Sequence, residues 1–276
     1  MTTLNDLHTI SRGFTTTDKM PVLFLGHGSP MNAIEENQFV SGFRELANTL
    51  PQPNAILCIS AHWYTKGTYV TSGEMQKTIH DFYGFPQELF EVEYPAKGNP
   101  ELAKETAELL APTSVIETDS WGLDHGAWSV IKHLYPAANI PVIQMSIDYT
   151  QSAQYHFDLA KKLQKLREKG ILIIGSGNVV HNLRMIDWKN INTVGAGWDW
   201  AIEARAKTNE WILDGNFQNL IHFEKQGTAL QNAIPTPDHY LPLIYTLGLK
   251  EKNDNISLFN DEIIGGSLSM TSVLIN

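Results

Sequence analysis

The segment VLFLGHGSP, residues 22–30, decides the fold, because a fully apolar run passes directly into a glycine-rich turn. A short apolar run bounded by turn residues is typical of a strand that is buried on both faces, as in a parallel sheet. The glycines on either side of His27 permit a sharp turn and a close approach of the backbone to a bound group. We therefore predict a buried strand over Val22–Gly26 whose carboxyl end carries a histidine.

The same kind of segment recurs along the chain and alternates with helical patterns. Further strands are predicted at Ala55–Ser60, Tyr69–Thr71, Ser114–Glu117, Pro141–Ser146, Ile171–Gly175 and, closing the chain, Ser267–Ile275. Helices are predicted at Glu36–Leu50, Pro100–Leu110, Gly126–Leu134, Ser152–Lys169, Trp198–Asp214 and Tyr240–Leu247. This alternation is typical of an α/β fold, with a central, mostly parallel mixed sheet and helices on both faces. We expect a loose leader over residues 1–20 and a single α/β domain over residues 21–276.

The composition argues against several classes of protein. Of the 276 residues, 42% are hydrophobic and 18% are charged, so the chain can form a substantial core and is not intrinsically disordered. The net charge of −10 disfavours binding to nucleic acid and to anionic membranes, which depends on clustered Lys and Arg. The apolar stretches are far shorter than the ~20 residues that cross a bilayer. We therefore expect neither a nucleic acid nor a membrane as a partner.

The N-terminal residues and the cysteine content predict a cytoplasmic protein. Asp6, His8, Arg12 and Asp18 are not preceded by an apolar block, so we expect no secretory signal. The single cysteine, Cys58, cannot form an internal disulfide, which favours a reducing compartment. Cys58 lies within a predicted strand, and we interpret it as an inert core residue.

Three of the ten histidines follow predicted strands directly: His27, His62 and His181. In doubly wound sheets, ligands bind beyond the carboxyl ends of the strands, because helix N-termini and loops meet there. Imidazole is also the commonest protein ligand of metal ions. One such histidine alone is more often a turn residue, but three at equivalent positions indicate a functional site at this edge of the sheet.

Three more histidines lie in segments that allow two interpretations. His239 opens a helix in TPDHY, residues 236–240, where Asp238 is alternatively a simple helix cap. His125 follows Asp124 in WGLDHGAW, residues 121–128, and is either a functional residue or merely a first-turn residue after a capping aspartate. His80 lies in IHDFYGFP, residues 79–86, an aromatic loop that either closes over a planar substrate or simply packs.

The remaining histidines carry no functional prediction. His133 and His156 fall on helical patterns among polar residues, and we expect both on solvated faces. His8 lies in the leader, and His222 has no turn motif around it.

Six segments together resemble the class III extradiol ring-cleaving dioxygenases, and within that class the bacterial 4,5-DOPA extradiol dioxygenases and their plant relatives. They occur in the expected order from about residue 21 to the C-terminus. The segments are GHGSP (26–30), SAHW (60–63), IHDFYGFP (79–86), WGLDHG (121–126), GSGNVVHNL (175–183) and TPDHY (236–240).

The resemblance implies one divalent metal ion at the strand ends, with His27, His62 and His239 as ligands. It assigns His181 as the acid/base residue, which some members place close enough to the metal to be a fourth ligand, and it directs His125 toward the substrate. The protocatechuate-cleaving branch has a glutamate as third ligand where this chain has His239. Three neutral imidazoles leave the ion its full +2 charge, and such a set also resembles the tris-His zinc sites of hydratases.

The resemblance implies a dioxygenase that opens the ring of a DOPA-like catechol with O2. We expect Fe(II) to be the active metal, because Zn(II) has no redox chemistry, and we expect Zn(II) to be found bound as well. His80, Trp63 and Tyr83 are the predicted substrate-binding residues. The alternatives are a zinc hydrolase or hydratase built on the same three ligands and a non-enzymatic binding protein. Sequence leaves open the physiological catechol, the ring bond cleaved and the oligomeric state.

Overall fold

A mixed eight-stranded sheet forms the centre of the structure, a computed structural model that describes residues 19–276. The strands are β1 (Val22–Gly26), β2 (Ala55–Thr65), β3 (Thr68–Thr71), β4 (Val115–Thr118), β5 (Val142–Asp148), β6 (Ile171–Gly177), β7 (Ile256–Phe259), β8 (Ile263–Ile264), β9 (Leu268–Ser269) and β10 (Ser272–Ile275). The order in the large sheet is β4-β3-β5-β2-β6-β1-β10-β7, and β8 and β9 form a separate ribbon.

The four central strands, β5, β2, β6 and β1, run parallel and are the predicted apolar segments. Every residue of β1, β5 and β6 is buried. The predicted closing strand over Ser267–Ile275 is wrong, because the segment is divided into β9 and β10, which belong to different sheets. Strand β2 also differs from prediction, because it runs on to Thr65 instead of ending at Ser60. Its pairing with β5 shifts register between Ile59 and Tyr64. Such irregularities re-aim side chains and are common beside functional sites.

Helices cover both faces of the sheet. They are α1 (Gln38–Ala47), α2 (Gln87–Phe90), α3 (Pro100–Leu109), α4 (His125–Leu134), α5 (Ala153–Lys161), α6 (Gln164–Arg167), α7 (Asp199–Leu213), α8 (Phe217–Ile221), α9 (Thr228–Ala233) and α10 (Leu241–Gly248). The prediction of one helix over Ser152–Lys169 is wrong. The chain tightens into i→i+3 hydrogen bonds at Lys162 and Leu163, and this divides the segment into α5 and α6.

Two apolar cores lie on opposite faces of the sheet. On one face, Leu57 and Ile173 belong to the same core as Leu243 of α10, and on the other, Ile56 and Ile174 belong with Trp128 of α4. Alternate residues of one strand therefore serve different cores, as a sheet covered on both faces requires. The predicted single α/β domain with a mostly parallel mixed sheet is confirmed.

The end of the predicted leader contacts the domain. Met20 is buried, and Lys19 Nζ lies 2.5 Å from Asp254 Oδ1. The rest of the leader, residues 1–18 with His8, lies outside the described residues. Within residues 19–276, none of the helices combines the length and the apolar character needed to span a membrane.

Candidate metal centre

Five histidine rings meet at the carboxyl edge of the parallel strands. His27 follows β1, His62 lies in the distal part of β2 and His181 follows β6, while His125 begins α4 and His239 lies just before α10. The ring centres of His27 and His62 are 5.1 Å apart, and that of His239 lies 5.3 Å from the first and 4.9 Å from the second. The three histidines predicted as ligands thus form a nearly equilateral triangle.

The other two histidines flank this triangle on different sides. The ring of His125 lies 3.9 Å from that of His62, and one nitrogen each of His27, His62 and His125 lies within 4.8 Å of the others. The ring of His181 stacks on that of His239, with centres 3.5 Å apart and planes inclined by 5°. The nitrogen distances show that His27, His62 and His125 could hold a metal ion, and the ring-centre distances leave His239 as a second candidate for the third ligand. There are thus two candidate sets of three histidines. They share His27 and His62 and differ in whether His239 or His125 is the third.

Two glycines let the elements that carry these histidines approach closely. A Cβ atom at Gly177, the last residue of β6, would lie 2.1 Å from the carbonyl oxygen of His239. A Cβ atom at Gly126, in the first turn of α4, would lie 2.8 Å from Cδ2 of His62. Any larger residue at either position would push a histidine-bearing segment away from the cluster.

The hydrogen bonds of Ser176 determine the tautomer of His27. The Ser176 hydroxyl donates its one proton to the carbonyl oxygen of Gly126 at 2.5 Å, and His27 Nδ1 lies 3.0 Å from the same Oγ. Because that proton is already used, Oγ accepts a hydrogen bond from His27 Nδ1–H. The other nitrogen, Nε2, then carries a lone pair that faces the cluster.

Aspartates occupy the same position beside His239 and His62. Asp238 Oδ2 lies 2.5 Å from His239 Nδ1, and Asp81 Oδ2 lies 3.4 Å from His62 Nδ1. The interpretation of Asp238 as a helix cap is wrong, because α10 has no side-chain cap and the carboxylate faces the imidazole instead. Such carboxylates fix the orientation of ligand histidines in metal sites.

The donor set fits a single divalent metal ion. His62 Nε2 and His27 Nε2 lie 3.2 Å apart. With the ring protons on Nδ1, this places two lone pairs against each other, an arrangement that is unfavourable without a cation or a proton between them. Two nitrogens bound to one ion at about 2.0–2.1 Å are separated by roughly 3 Å, which matches this spacing.

Four histidines of the cluster, His27, His62, His181 and His239, are neutral at physiological pH. Burial is the main cause, and it lowers the pKa of His27, His62 and His239 well below the ordinary value of 6.5; repulsion from neighbouring histidines acts in the same direction. Burial lowers the pKa of His181 to about 4. Neutral imidazole is the form that binds metal ions and accepts protons. These four histidines are therefore in the protonation state that either function requires.

The start of α4 is fixed by two carboxylates. Asp124 accepts a hydrogen bond from Ala127 N at 3.1 Å, so the predicted cap is confirmed. Burial, followed by repulsion from Asp81, raises the pKa of Asp124 to about 6, while donors from Ser60 and Gln144 oppose that shift. Asp81 Oδ1 accepts from His125 N at 2.8 Å.

Sequence reasoning missed both Asp81 and Ser176. Asp81 directly follows His80 in the aromatic segment 79–86, and that adjacency was the available signal. Ser176 lies in the glycine-rich end of a strand, where its role depends on two partners that are distant in sequence.

The predicted substrate-binding residues take three different positions. His80 Nε2 donates to the carbonyl oxygen of Val92 at 2.9 Å. Trp63 is buried and stacks on Trp121, with ring centres 5.6 Å apart, whereas Tyr83 is 92% exposed. Among the aromatic side chains of the same loop, Phe82 lies beside the cluster, with its ring centre 5.6 Å from that of His125.

The prediction that His133 and His156 lie on solvated faces is wrong, since both are buried. The polar neighbours that suggested exposure are themselves partly covered by adjoining elements. Each histidine makes hydrogen bonds within the fold: His133 with the carbonyl oxygen of Asn32, and His156 with the carbonyl oxygen of Asp148 and the hydroxyl of Tyr245. Their burial is structural.

Comparison with known proteins agrees with this geometry. Residues 20–268 match the family described as the catalytic LigB subunit of aromatic ring-opening dioxygenase. The chain is 45% identical over 263 residues to the 4,5-DOPA dioxygenase extradiol of Escherichia coli K12, covering 94% of this chain and 96% of the relative. It is 34% identical to the enzyme of the same name from Beta vulgaris, covering 90% and 94%.

A solved structure has the same fold. The crystal structure of an uncharacterised protein from Escherichia coli K12 superimposes with a TM-score of 0.79 at 40% identity, covering 94% of this chain and 100% of that one. The predicted resemblance to ring-cleaving dioxygenases is confirmed. The chain belongs to the family of the catalytic LigB subunit of aromatic ring-opening dioxygenases.

Proposed function

We propose that this chain is an Fe(II)-dependent extradiol dioxygenase that opens the ring of a DOPA-like catechol with O2. The observation that carries the proposal is the triangle of His27, His62 and His239. Each of these rings has an oxygen partner at Nδ1, which leaves Nε2 for the metal. The relatives named above supply the class of substrate.

His239 is a better third ligand than His125. His239 has its own carboxylate partner, Asp238, at 2.5 Å. The Nδ1 atom of His125 has no aligned hydrogen bond, and His125 shares its nearest carboxylate, Asp81, with His62. A metal ligand needs a fixed direction, which favours His239 and leaves His125 to face the substrate.

Fe(II) at this site supplies a redox-active centre that can bind both the catechol oxygens and O2, a role that Zn(II) cannot fill. A tris-imidazole set also binds zinc well, so we expect Zn(II) to occupy the site when iron is scarce. The reaction breaks one carbon–carbon bond of the ring and adds both oxygen atoms of O2, so it needs no external reductant.

His181 moves the proton. Its ring is parallel to that of His239 with the centres 3.5 Å apart, and rings stacked in this way cannot both direct an in-plane lone pair at one ion. This favours the acid/base role over the role of fourth ligand. Burial lowers its pKa to about 4, so a neutral ring nitrogen is available to accept a catechol proton at physiological pH.

The aromatic loop and α4 form the substrate side of the site. Phe82 lies beside His125 and can flank a planar ring, and His125 can hydrogen-bond to a substrate oxygen. His80 supports the loop through Val92, while Trp63 is buried against Trp121 and Tyr83 is exposed, so Phe82 takes the place that was predicted for them. The catalytic unit spans residues 21–276, and its single cysteine favours the cytoplasm.

Oxygen consumption by the iron-loaded protein tests the proposal. The metal-free chain is reconstituted with Fe(II) under argon and then mixed with air-saturated buffer and a panel of catechols, DOPA among them. We expect about one O2 consumed per catechol and a yellow ring-opened product. Turnover of esters or amides under argon by the zinc-loaded chain, with no oxygen uptake for any catechol, would instead support a zinc hydrolase.

A further inference from the structure

Asp81 lies between the proposed metal ligands and the substrate side, and its two oxygens face different histidines. Oδ2 lies 3.4 Å from His62 Nδ1, and Oδ1 lies 3.0 Å from His125 Nδ1. Resting on the proposed function, we propose that Asp81 is a positioning residue that sets the orientation and the tautomer of both rings. It thereby links a metal ligand to the histidine that faces the substrate.

The chemistry of a carboxylate explains this assignment. An ionised carboxylate only accepts hydrogen bonds, so a neutral imidazole whose Nδ1 faces Asp81 carries its proton there. Nε2 of His62 and Nε2 of His125 are then both unprotonated. The first is free for a metal ion, and the second can accept a proton or a hydrogen bond from a substrate hydroxyl.

The position of Asp81 is itself fixed by α4. Oδ1 accepts the backbone N–H of His125 at 2.8 Å, one of the donors that the first turn of a helix leaves without an intrahelical partner. The Nδ1 atom of His125 is buried and lacks an aligned hydrogen bond, although the same oxygen lies 3.0 Å away. A small rotation of the ring or the carboxylate completes that bond, and Asp81 is the acceptor within reach.

The sharing of one carboxylate distinguishes Asp81 from the other partners of the cluster. Asp238 and Ser176 each hydrogen-bond one histidine ring, that of His239 and that of His27. The rings of His62 and His125 are 3.9 Å apart and meet the same side chain. Replacing Asp81 should therefore disturb two histidines, whereas replacing Asp238 should disturb one.

Asp81→Asn and Asp238→Asn are the matched pair of variants, with Asp158→Asn on the exposed surface of α5 as control. The amide that replaces the Asp81 carboxylate has a single acceptor oxygen, so one imidazole must turn or move its proton to Nε2. We expect both site variants to bind Zn(II) more weakly by about 10- to 100-fold in a chelator competition. The control should bind like the unaltered chain.

Ring-nitrogen NMR of the metal-free protein, labelled with ¹⁵N-histidine, separates positioning from a general structural effect. In the unaltered chain we expect His62 and His125 to be protonated at Nδ1. Asp81→Ala, which removes both acceptor oxygens, should change the tautomer signals of both, and Asp238→Asn should leave those of His125 unchanged. Asp81→Glu, which retains the charge, should recover part of the zinc affinity.

Three results would overturn the proposal. The first is protonation of His62 or His125 at Nε2 in the unaltered chain, which requires no variant to fold. The second is zinc affinity within twofold of the unaltered chain in Asp81→Asn, and the third is a change of tautomer signals at His62 alone in Asp81→Ala. Zinc affinity and tautomers are measured without turnover, so a failure of the dioxygenase assay would leave this test standing.

Discussion

His27 and His156 are both buried imidazoles, and they differ in what becomes of their second nitrogen. His156 Nε2 donates to the carbonyl oxygen of Asp148 at 3.1 Å, so its Nδ1 accepts from the Tyr245 hydroxyl at 2.8 Å. His27 satisfies only Nδ1, through Ser176, while Nε2 faces His62 Nε2 at 3.2 Å. A buried histidine with both nitrogens bonded supports the fold, whereas one whose free nitrogen faces other histidines is available for chemistry.

This difference is more informative than burial itself. Burial lowers the pKa of His27 and also that of His156, the latter to about 4. Neither burial nor a lowered pKa therefore separates the two kinds of histidine. The number of hydrogen-bonded ring nitrogens does separate them, because a neutral imidazole has one donor and one acceptor to satisfy. Variants of single histidines test whether the number of hydrogen-bonded ring nitrogens assigns each histidine to the correct role.

The largest effect is expected from His239→Ala. Loss of one of three protein ligands should weaken metal binding by more than about 100-fold, since even an outer partner is worth about 10- to 100-fold, and it should abolish oxygen uptake. The measurement is metal content after dialysis against a weak chelator.

His125→Ala and His156→Gln are the comparisons for that result. Both should retain stoichiometric metal, the first because His125 faces the substrate and the second because His156 has no open nitrogen. If His125→Ala loses the metal while His239→Ala keeps it, the third ligand is His125 and not His239. Loss of metal in His156→Gln would contradict the hydrogen-bond criterion.

The next effect in size concerns His181. With the metal retained, His181→Ala should lower kcat by about 10²- to 10⁴-fold, because the catechol proton loses its acceptor. Steady-state oxygen uptake on iron-loaded protein measures this, with metal content determined on the same sample. Unchanged turnover would remove His181 from the reaction, and loss of metal would make it a ligand.

The sequence predicted the sheet better than it predicted the partners within the site. β1 and β6 begin with continuous apolar runs, and such runs indicate buried strands without further information. The extension of β2 through His62 to Thr65 was missed because those residues form no apolar run. Arg167 of α6 is buried against Asp254 at 2.7 Å, a contact between segments that helical periodicity does not anticipate.

His27, His62 and His181 were found because strand ends converge by topology, and His125 and His239 were assigned through the resemblance. The oxygen partners Asp81 and Ser176 were missed. Asp81 and His125 are 44 residues apart, and Ser176 and His27 are 149 apart. Nothing local in the sequence indicates such pairs, since they depend on how loops pack once the sheet has formed. The same limitation explains the wrong prediction for His156, whose partners lie on other elements.

A smaller effect is expected for the pH dependence of stability. The pKa of His156 is about 4 in the folded chain and near 6.5 when unfolded, so the unfolded chain binds more protons between these values. Its contribution to stability is fully present above pH 6.5 and is lost as the pH falls toward 4. The loss amounts to roughly 3 kcal/mol by proton linkage.

His156→Gln isolates this contribution, because glutamine retains one donor and one acceptor but does not titrate. Free energies of unfolding are measured in urea at several pH values for both metal-free proteins. Relative to the unaltered chain, the variant should gain stability as the pH falls from 7 to 4. The histidines of the metal centre are the same in both proteins, so their contribution to stability cancels when the variant is compared with the unaltered chain. Parallel pH profiles would contradict the assignment.

The smallest effect is expected at His133, which is outside the histidine cluster but is connected to it through Asn32. Its Nε2 donates to the carbonyl oxygen of Asn32 at 2.7 Å, and the Asn32 side chain donates to the carbonyl oxygen of His27 at 2.9 Å. His133→Leu leaves the Asn32 carbonyl without that donor and should cost about 1–3 kcal/mol of unfolding free energy. His133→Gln, which can still donate, should cost less.

Metal affinity decides what the His133 result means. If the comparison between structural and open histidines is correct, His133→Leu destabilises the fold in urea and leaves the affinity for Zn(II) unchanged. A weaker affinity at unchanged stability would mean that support for His27 passes through Asn32. His133 would then belong functionally to the metal centre although it is not among its ligands. The hydrogen bonds of a histidine's neighbours would have to be considered together with those of its own ring.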